Sequence, residues 1–337
     1  MSALGADLGQ RQMRYAVLQS KAKSVVLQSL QEVSFSHPRD LQSAFSSLKM
    51  SVASSRFDLE GDDVFFEVVW IPEVPKDELG EILPWAMTHF KDKHDQTQFV
   101  FRYSRTPSLD RGGKIAFAVY AVEKKHIAKR VQWIKSMKPK NFFVLEPSFV
   151  SLARCVIHNY SDLLESNQYL GVVDMGKKFS HFMAVSRNGI VFNRVLIDMA
   201  ASALDRSLAR DLGVSVDEAE ELKLGRGQRE ISSEHEKILS NTTTHFYSKS
   251  AIELQRSMDL MLNEVSQGAS CKKILFAGGG AKLTGFIKYM ADTLKVECLP
   301  IDPVRKIQLA PSVQRSGVDP YLFDVAIGLA LDGYAAD

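Results

Sequence analysis

Two segments of the chain share one pattern of apolar and polar positions. Residues 3–19 and 169–196 each open with an apolar strand, continue with an Asp that is followed two residues later by Gly, and return in an alternating strand. The second segment adds Arg187-Asn188-Gly189, residue types that a tight hairpin turn prefers, and then a third strand at 190–195. The pattern predicts a weak internal duplication in which each half begins with a β-meander.

The stretch between the two meanders predicts a small α+β insert. Alternating polarity predicts strands at 64–71, 98–103 and 114–122, and helical spacing of apolar positions predicts helices at 75–90 and 124–137. After the second meander we expect helices at 200–212, 216–224 and 244–265, a polar loop at 225–234, a strand at 272–277, and helices at 283–294 and 320–331.

Length and composition bound the class of protein. The 337 residues exceed what one ordinary core holds, so two domains with a cleft are expected. Lys and Arg total 42 against 40 for Asp and Glu, and the two signs are interspersed, so nucleic acid is not an expected partner. Cys155, Cys271 and Cys298 lie far apart in apolar runs, which favours a reducing compartment without disulfides or a cysteine metal site.

Hydropathy along the chain predicts the location of the protein. No stretch approaches the roughly 20 apolar residues needed to cross a bilayer. Asp7, Arg11 and Arg14 interrupt the N-terminal segment before a signal-like core forms. We therefore expect a cytoplasmic protein that reaches a membrane only through another chain.

Three glycines at the end of a strand, directly before a helix, are the first candidate for ligand binding. Gly278, Gly279 and Gly280 would let a ligand lie against the backbone, but the same run also suits a plain tight turn. The spacing is that of neither a dinucleotide fingerprint nor a Walker loop. The run therefore indicates a ligand only together with other motifs.

The two Asp-x-Gly turns are the second candidate. If Asp7 and Asp174 face each other across a cleft they can hold a hydrated Mg2+, while the N–H groups at Gly9 and Gly176 approach phosphates. Ordinary turn-forming Asp residues are the alternative. The eight histidines show no metal-ligand spacing, and no Ser or Cys lies in the context of a hydrolase triad.

The order of these features resembles the actin, Hsp70 and sugar-kinase superfamily, and most closely the FtsA/PilM family of actin-like proteins. GADLG (5–9) resembles the first phosphate motif of that family, VVDMG (172–176) the second, and FAGGGAKLTGF (276–286) the adenosine motif. FDVAIGLAL (323–331) is similar to the helix that closes the first lobe, and LEPSFVSLAR (145–154) to the helix that returns to it from the insert. The likeness covers nearly the whole chain.

The resemblance implies an α/β, actin-like fold, that is, a duplicated RNase H-like fold with two lobes and a small α+β insert of the FtsA/PilM type. The first lobe is then expected at residues 1–33, 145–167 and 320–337. The insert is expected at 34–144 and the second lobe at 168–319.

The ligand that the resemblance implies is ATP with Mg2+. Its phosphate end would meet Asp7, Gly9, Gln10, Arg11, Asp174, Gly176 and Ser180. Its adenosine end would meet Glu220, Lys223, Gly278, Gly279 and Gly280. Asp7 and Asp174 would hold the metal ion through water.

Departures from the family pattern surround the expected phosphate site. Residues 10–12 are Gln-Arg-Gln where the family usually has small hydroxyl residues, and residues 199–200 are Met-Ala where it usually has two glycines. Residues 177–179 are Lys-Lys-Phe, although Ser180 keeps a hydroxyl. Arg11 and the two lysines can compensate by meeting phosphate charge directly. Hydrolysis depends on accurate placement of the phosphates, so we predict that ATP is hydrolysed slowly or not at all even where it binds.

The function that the resemblance implies is that of a scaffold in a type IV pilus assembly machine, peripheral to the inner membrane, that binds the N-terminal cytoplasmic tail of a PilN-like inner-membrane protein. The tail is expected in a groove beside the insert. Trp70, Trp85 and Phe90 would be apolar anchors for a peptide on an exposed edge, and packing on the insert's own sheet is the alternative role of that apolar face. One alternative is the cytoplasmic domain of a GspL-like type II secretion protein, favoured by the altered phosphate motifs and opposed by the Gly-Gly-Gly-Ala loop. A small-molecule kinase of the same superfamily is another, but no motif offers the catalytic Asp that it needs.

Overall fold

The structure is a computed structural model that describes residues 2–9, 12–21, 24–37, 40–41, 54–59, 64–138, 142–164, 168–225, 232–265 and 270–332. Contacts divide the chain into two compact units. The first unit comprises Met1–Tyr169, Val185–Asn193 and Ile301–Asp337, and the second comprises Leu170–Ala184 and Arg194–Pro300.

Strands and helices alternate along the described residues. The strands are β1 (Ser2–Leu8), β2 (Gln12–Lys21), β3 (Ser24–Ser34), β4 (Ser54–Leu59), β5 (Val64–Pro72), β6 (Phe99–Arg105), β7 (Lys114–Glu123), β8 (Phe143–Pro147), β9 (Gln168–Met175), β10 (Ser180–Ser186), β11 (Gly189–Leu196), β12 (Ser270–Ala277), β13 (Glu297–Pro300) and β14 (Gln308–Leu309). The helices are α1 (Leu79–Ala86), α2 (Thr88–Lys91), α3 (Lys124–Ser136), α4 (Ser148–Tyr160), α5 (Ala201–Leu212), α6 (Val216–Leu224), α7 (Ser233–Val265), α8 (Phe286–Leu294), α9 (Pro311–Ser316) and α10 (Asp324–Leu331).

A six-stranded sheet of order β14-β3-β2-β1-β4-β8 forms the core of the first unit. Strands β1, β2 and β3 pair antiparallel, which confirms the first predicted meander. Strand β4 pairs parallel with β1, β8 pairs parallel with β4, and β14 pairs parallel with β3. Alternate residues of a strand point to opposite faces, so the sheet buries two apolar clusters, one that includes Ile134 and one that includes Ile327 of α10.

Two glycines allow elements of the first unit to pack backbone against backbone. A Cβ atom on Gly5 of β1 would lie 2.0 Å from the carbonyl oxygen of Ala326 in α10. A Cβ atom on Gly328 would lie 1.9 Å from the carbonyl oxygen of Ser151 in α4. Helix α10 therefore packs directly on β1 and on α4, which no larger residue at these two positions would permit.

A three-stranded antiparallel sheet of order β5-β7-β6 forms a second core in the same unit, with α1 and α2 packed on it. The prediction of one helix over 75–90 is wrong. Helix α1 begins at Leu79, and Met87 has extended backbone angles that separate α1 from α2. Pro84 lies inside α1, where it removes the hydrogen bond to the Gly80 carbonyl and so weakens the helix from within.

Aromatic side chains join the three-stranded sheet to the rest of the first unit. The ring of Phe149 in α4 lies 6.2 Å from that of Phe66 in β5 and 6.1 Å from that of Tyr120 in β7, measured between centroids. Phe66 and Tyr120 are themselves 5.3 Å apart. These three rings form an aromatic cluster, with Phe66 and Phe149 edge to face, through which the three-stranded sheet contacts α4.

The five-stranded sheet has the order β11-β10-β9-β12-β13. The second predicted meander is confirmed, and Gly189 in its turn has a φ of +125°, which glycine adopts readily. Helix α7 begins at Ser233, so the predicted start at 244 is wrong. Burial of Leu239 and Thr242 overrides the low helix propensity of the polar, β-branched residues that precede position 244. Residues 226–231 of the predicted loop lie outside the described residues.

The division into two lobes and an insert stays a prediction, but two short strands can be placed. Strand β4 falls inside the expected insert at 34–144 and lies in the six-stranded sheet. Strand β14 falls inside the expected second lobe at 168–319 and pairs with β3 of the first unit. Strands this short carry little periodic signal, so only their pairing reveals the sheet they join. Across the described helices, none is both long and apolar enough to span a bilayer.

Candidate functional site

The first Asp-x-Gly turn follows β1 in the first unit. Asp7 is paired with Arg14 of β2 in the strand register, and the N–H of Gly9 donates to the carbonyl oxygen of Gln12 at 2.9 Å. A Cβ atom on Gly9 would lie 3.0 Å from that same oxygen, so the turn is tight at this position. Residues 10 and 11, the predicted phosphate contacts Gln10 and Arg11, lie outside the described residues.

A buried ion pair holds the backbone beside this turn. The Oδ1 atom of Asp58 accepts a hydrogen bond from the Leu8 N–H at 2.8 Å, and Nη1 of Arg130 donates to the Leu8 carbonyl oxygen at 3.2 Å. Burial raises the pKa of the Asp58 carboxyl, the Arg130 guanidinium opposes that rise, and the charge of Asp7 adds to it. Sequence reasoning missed this pair.

A signal for the pair does exist in the sequence. Arg130 stands on the helical face that carries Ile127 and Ile134, where an apolar residue would be expected. A charged residue inside an apolar stripe indicates a buried partner, because unpaired buried charge is costly. The sequence could not have shown that the partner is Asp58.

The second Asp-x-Gly turn follows β9 in the second unit, and the three-glycine loop packs against it. Gly278 has a φ of +77°, and a Cβ atom there would lie 2.7 Å from Oδ1 of Asp174 and 2.7 Å from the Met175 carbonyl oxygen. A Cβ atom on Gly280 would lie 2.8 Å from Cβ of Met175. The structure therefore brings together Asp174 and the glycine run, two features that the sequence predicted for one site.

Gly279 differs from its two neighbours. A Cβ atom on Gly279 would meet no other atom within 4 Å. Open space beside a glycine-rich backbone that follows a strand is the cradle that a nucleotide would need, so the residues present fit the predicted ligand at this end.

Backbone and hydroxyl groups tie the second turn to the start of α5. The N–H of Ala201 donates to the Gly176 carbonyl oxygen at 3.0 Å, and the N–H of Ser202 donates to the Lys177 carbonyl oxygen at 2.9 Å. Ser180 is fully buried, and its hydroxyl donates to the Met199 carbonyl oxygen at 3.0 Å. In this structure the Ser180 hydroxyl therefore supports the turn from within the core.

Two ion pairs engage the residues predicted for the adenosine end. Nζ of Lys177 lies 2.9 and 2.7 Å from the two carboxylate oxygens of Glu220. Lys223 donates to the carboxylate of Asp205, a fully buried partner that sequence reasoning did not identify. The Lys177 charge, which the sequence offered to a phosphate, is thus partly neutralised by Glu220.

The two Asp residues predicted to hold Mg2+ belong to different units, Asp7 to the first and Asp174 to the second. Their joint action on a metal ion stays a prediction. What the described geometry provides is a tight turn beside each Asp and, in the second unit, a glycine loop with room beside it. Such an arrangement can bind an anionic ligand through backbone N–H groups.

Comparison with known proteins identifies similar chains. A family model described as type IV pilus assembly protein PilM matches residues 95–334. A solved PilM–PilN type IV pilus biogenesis complex is similar over 99% of this chain and 99% of that chain, with 19% sequence identity and a TM-score of 0.78. Comparison with curated proteins gives no match.

Two further solved structures have the same fold at lower similarity. The ethanolamine utilization protein EutJ from Carboxydothermus hydrogenoformans matches over 98% of this chain and 89% of that chain, with 14% identity and a TM-score of 0.52. MreB5 of Spiroplasma citri bound to ADP matches over 100% and 99%, with 12% identity and a TM-score of 0.51. Together these likenesses show the actin-like α/β fold.

Proposed function

The chain belongs to the PilM family of type IV pilus assembly proteins, and from this premise we propose that it is a nucleotide-binding scaffold that holds the N-terminal cytoplasmic tail of a PilN-like inner-membrane protein. The observation that carries the proposal is the family match together with the likeness, over 99% of both chains, to a PilM–PilN complex. The scaffold would lie in the cytoplasm and reach the inner membrane through that partner. The family match favours a pilus machine over the GspL-like alternative.

The surface of the insert supports a docking role for one of the three aromatic residues named above. Trp85 on α1 is 67% exposed. Trp70 instead donates its indole N–H to the Leu109 carbonyl oxygen at 2.9 Å, with the Arg111 guanidinium 4.2 Å from its ring centre, and Phe90 is only 2% exposed. Trp85 is therefore the residue of the three that we propose as an anchor for the tail.

A binding measurement with the partner's tail tests the scaffold proposal. Fluorescence anisotropy of a labelled tail peptide should report saturable binding to the wild-type chain. Trp85→Ala should weaken it by about tenfold or more, as expected for truncation of an aromatic anchor. Leu224→Ala, which removes another exposed apolar side chain on the second unit, is the matched control and should bind as wild type does. Absence of wild-type binding, or equal loss in both variants, would contradict the proposal.

Nucleotide binding is supported by the glycine loop and by the fold. Gly278, Gly279 and Gly280 with Glu220 and Lys223 would hold the adenosine end. The turns at Asp7 and Asp174 would hold the phosphates, with Mg2+ bound through water. Nucleotide can influence the partner only if it binds one conformation of the scaffold more tightly than another. Binding would then shift the scaffold toward that conformation.

Hydrolysis is proposed to be slow or absent. The bulky residues at 10–12 and 199–200 and the engagement of Lys177 by Glu220 all alter the surroundings of the phosphates. Steady-state phosphate release should therefore fall far below the roughly 10 per second of a median enzyme. Turnover near that rate, abolished in Asp174→Ala, would restore a true ATPase and contradict the proposal.

A further inference from the structure

One buried ion pair in the first unit has no part in the function proposed above. Asp58 on β4 and Arg130 on α3 are 2% and 7% exposed, and Nη2 of Arg130 lies 3.2 Å from Oδ2 of Asp58. The loss of hydration in a buried pair offsets much of its attraction, so such a pair is often no more stabilising than well-packed apolar residues. Net stability alone therefore does not account for its presence.

The pair holds both backbone hydrogen-bonding groups of one residue. The Leu8 N–H donates to Asp58 at 2.8 Å, and Arg130 donates to the Leu8 carbonyl oxygen at 3.2 Å. Parallel pairing of β1 with β4 ends at Ala6 opposite Phe57. The Asp58 carboxylate therefore continues the hydrogen bonding at the point where the backbone ladder stops.

Leu8 occupies a sensitive place in the chain. It lies between Asp7 and Gly9, two of the residues that are expected to meet the phosphate end of a nucleotide. The turn is closed on its far side by the hydrogen bond from Gly9 to Gln12. Leu8 is the last residue of β1, so groups that hold its peptide also hold the end of the turn that joins this strand.

The guanidinium group is itself held in place. Cζ of Arg130 lies 5.2 Å from the centre of the Trp133 ring, within reach of a cation–π contact. Ile134, on the same helix, is fully buried against the sheet that contains β1. Helix α3 begins at Lys124, directly after β7, so Arg130 ties the turn to the insert's sheet as well.

We propose that Asp58 and Arg130 are positioning residues that hold the Leu8 peptide and so present the Asp7–Gly9 turn to the phosphate end of a nucleotide. The role in presenting the turn to a nucleotide rests on the proposed nucleotide site. The hydrogen bonds that hold the Leu8 peptide do not depend on that site. Replacing the pair by apolar residues would keep the core packed but would leave the two groups of Leu8 without these partners.

The test separates local positioning from global stability. In the full chain, Asp58→Leu combined with Arg130→Met removes both charges, Arg130→Lys keeps the charge but loses the two-armed guanidinium, and Lys129→Met removes an exposed cation from the same helix as a control. Three quantities are measured: the free energy of unfolding in urea, amide hydrogen exchange at Leu8 without nucleotide, and affinity for a non-hydrolysable ATP analogue.

In the double variant we expect the free energy of unfolding in urea to fall far less than in Asp58→Ala alone, while Leu8 exchanges about tenfold faster or more and Leu4 is unchanged. A tenfold change is the size expected for the loss of one hydrogen bond to a charged group. Affinity for the analogue should fall by a similar factor. Arg130→Lys, which leaves the Leu8 N–H bonded to Asp58, should show the same changes at smaller size, and it decides the question if the double variant does not fold.

Unchanged exchange at Leu8 in the folded variants would overturn the proposal. Faster exchange with unchanged affinity for the analogue would also overturn it, because nucleotide binding would then not depend on the position of the Leu8 peptide. Faster exchange in a chain whose wild type binds no analogue would support the hold on Leu8 and count against the proposed nucleotide site instead.

Discussion

The two Asp-x-Gly turns share a sequence pattern but are supported in different ways. In the first unit, the backbone beside the turn is held by two buried charged side chains, Asp58 and Arg130. In the second unit, the turn is held by close contact with Gly278 and Gly280 and by backbone hydrogen bonds to the start of α5. One turn depends on charge complementarity and the other on the absence of side-chain atoms.

This difference determines which substitutions each turn can tolerate. The stability of the first unit should suffer most when one member of the pair is removed and less when both are removed, although in both cases the Leu8 peptide loses a hydrogen-bond partner. The second turn should be damaged by adding a single carbon atom at a position without space and spared at Gly279, where space exists. Two turns with the same sequence motif can therefore be stabilised by different interactions.

The largest effect should come from removing one member of the buried pair. Asp58→Ala leaves the Arg130 charge buried without its partner, and the free energy of unfolding should fall by about 4 kcal/mol. The double change Asp58→Leu with Arg130→Met should cost much less, because no charge is left uncompensated. Urea denaturation followed by circular dichroism measures both. Equal losses in the two proteins would show that the first turn is not supported by charge complementarity.

A smaller effect is expected from adding one carbon atom in the second turn. Gly278→Ala places Cβ within 2.7 Å of two oxygen atoms, and the backbone angles, φ 77° and ψ 169°, are in a region that glycine alone adopts readily. The free energy of unfolding should fall by about 3 kcal/mol. Gly279→Ala is the matched control and should change it by less than about 0.5 kcal/mol. A Gly278→Ala protein as stable as the control would refute the steric account of the second turn.

Ligand binding should respond where stability does not. Gly279→Val has room for its side chain in the folded protein, but it places that side chain in the space proposed for the nucleotide. Affinity for ATP should fall by about tenfold or more, equivalent to about 1.4 kcal/mol, with little change in unfolding. Isothermal titration calorimetry provides the measurement. Unchanged affinity in a folded variant would remove the glycine loop from the site.

The smallest effect should come from the ion pair at the rim of the second turn. Lys177 is more than half exposed, so Lys177→Met should cost no more than about 0.5 kcal/mol of stability. The same change should make the apparent stability less sensitive to salt. A loss above about 2 kcal/mol would show that this pair supports the second turn as strongly as the steric contacts do.

The sequence predicted the features that repeat along the chain. Both meanders, the strand that leads into Gly278, and helices such as α3 could be read from alternation and helical spacing. The helix predicted over 75–90 failed because a periodic stripe does not show where the backbone departs from helical angles, as it does at Met87. The start of α7 was missed because tertiary burial outweighed local propensity.

Within the candidate site, the sequence named segments but not the partners of their side chains. It predicted that Asp174 and the glycine run belong to one site, and the structure places Gly278 beside Asp174; that they bind one ligand stays a prediction. It did not foresee that Lys177 would pair with Glu220, or that Lys223 would pair with Asp205. Salt bridges between residues far apart in the chain produce no periodic pattern in the sequence, so residue spacing alone cannot predict them.

By itself, the sequence determined the fold class and the family, because the order of the Asp-x-Gly turns, the insert and the glycine loop is a one-dimensional pattern. Only the tertiary structure decided how each turn is held, since Asp58 and Arg130 meet at Leu8 through the pairing of β4 with β1 and the packing of α3 on that sheet. It also decided that Trp85 is exposed while Phe90 is buried. The physical reason is that periodicity reports which face of an element is apolar, whereas partners and exposure depend on what the fold brings against that face.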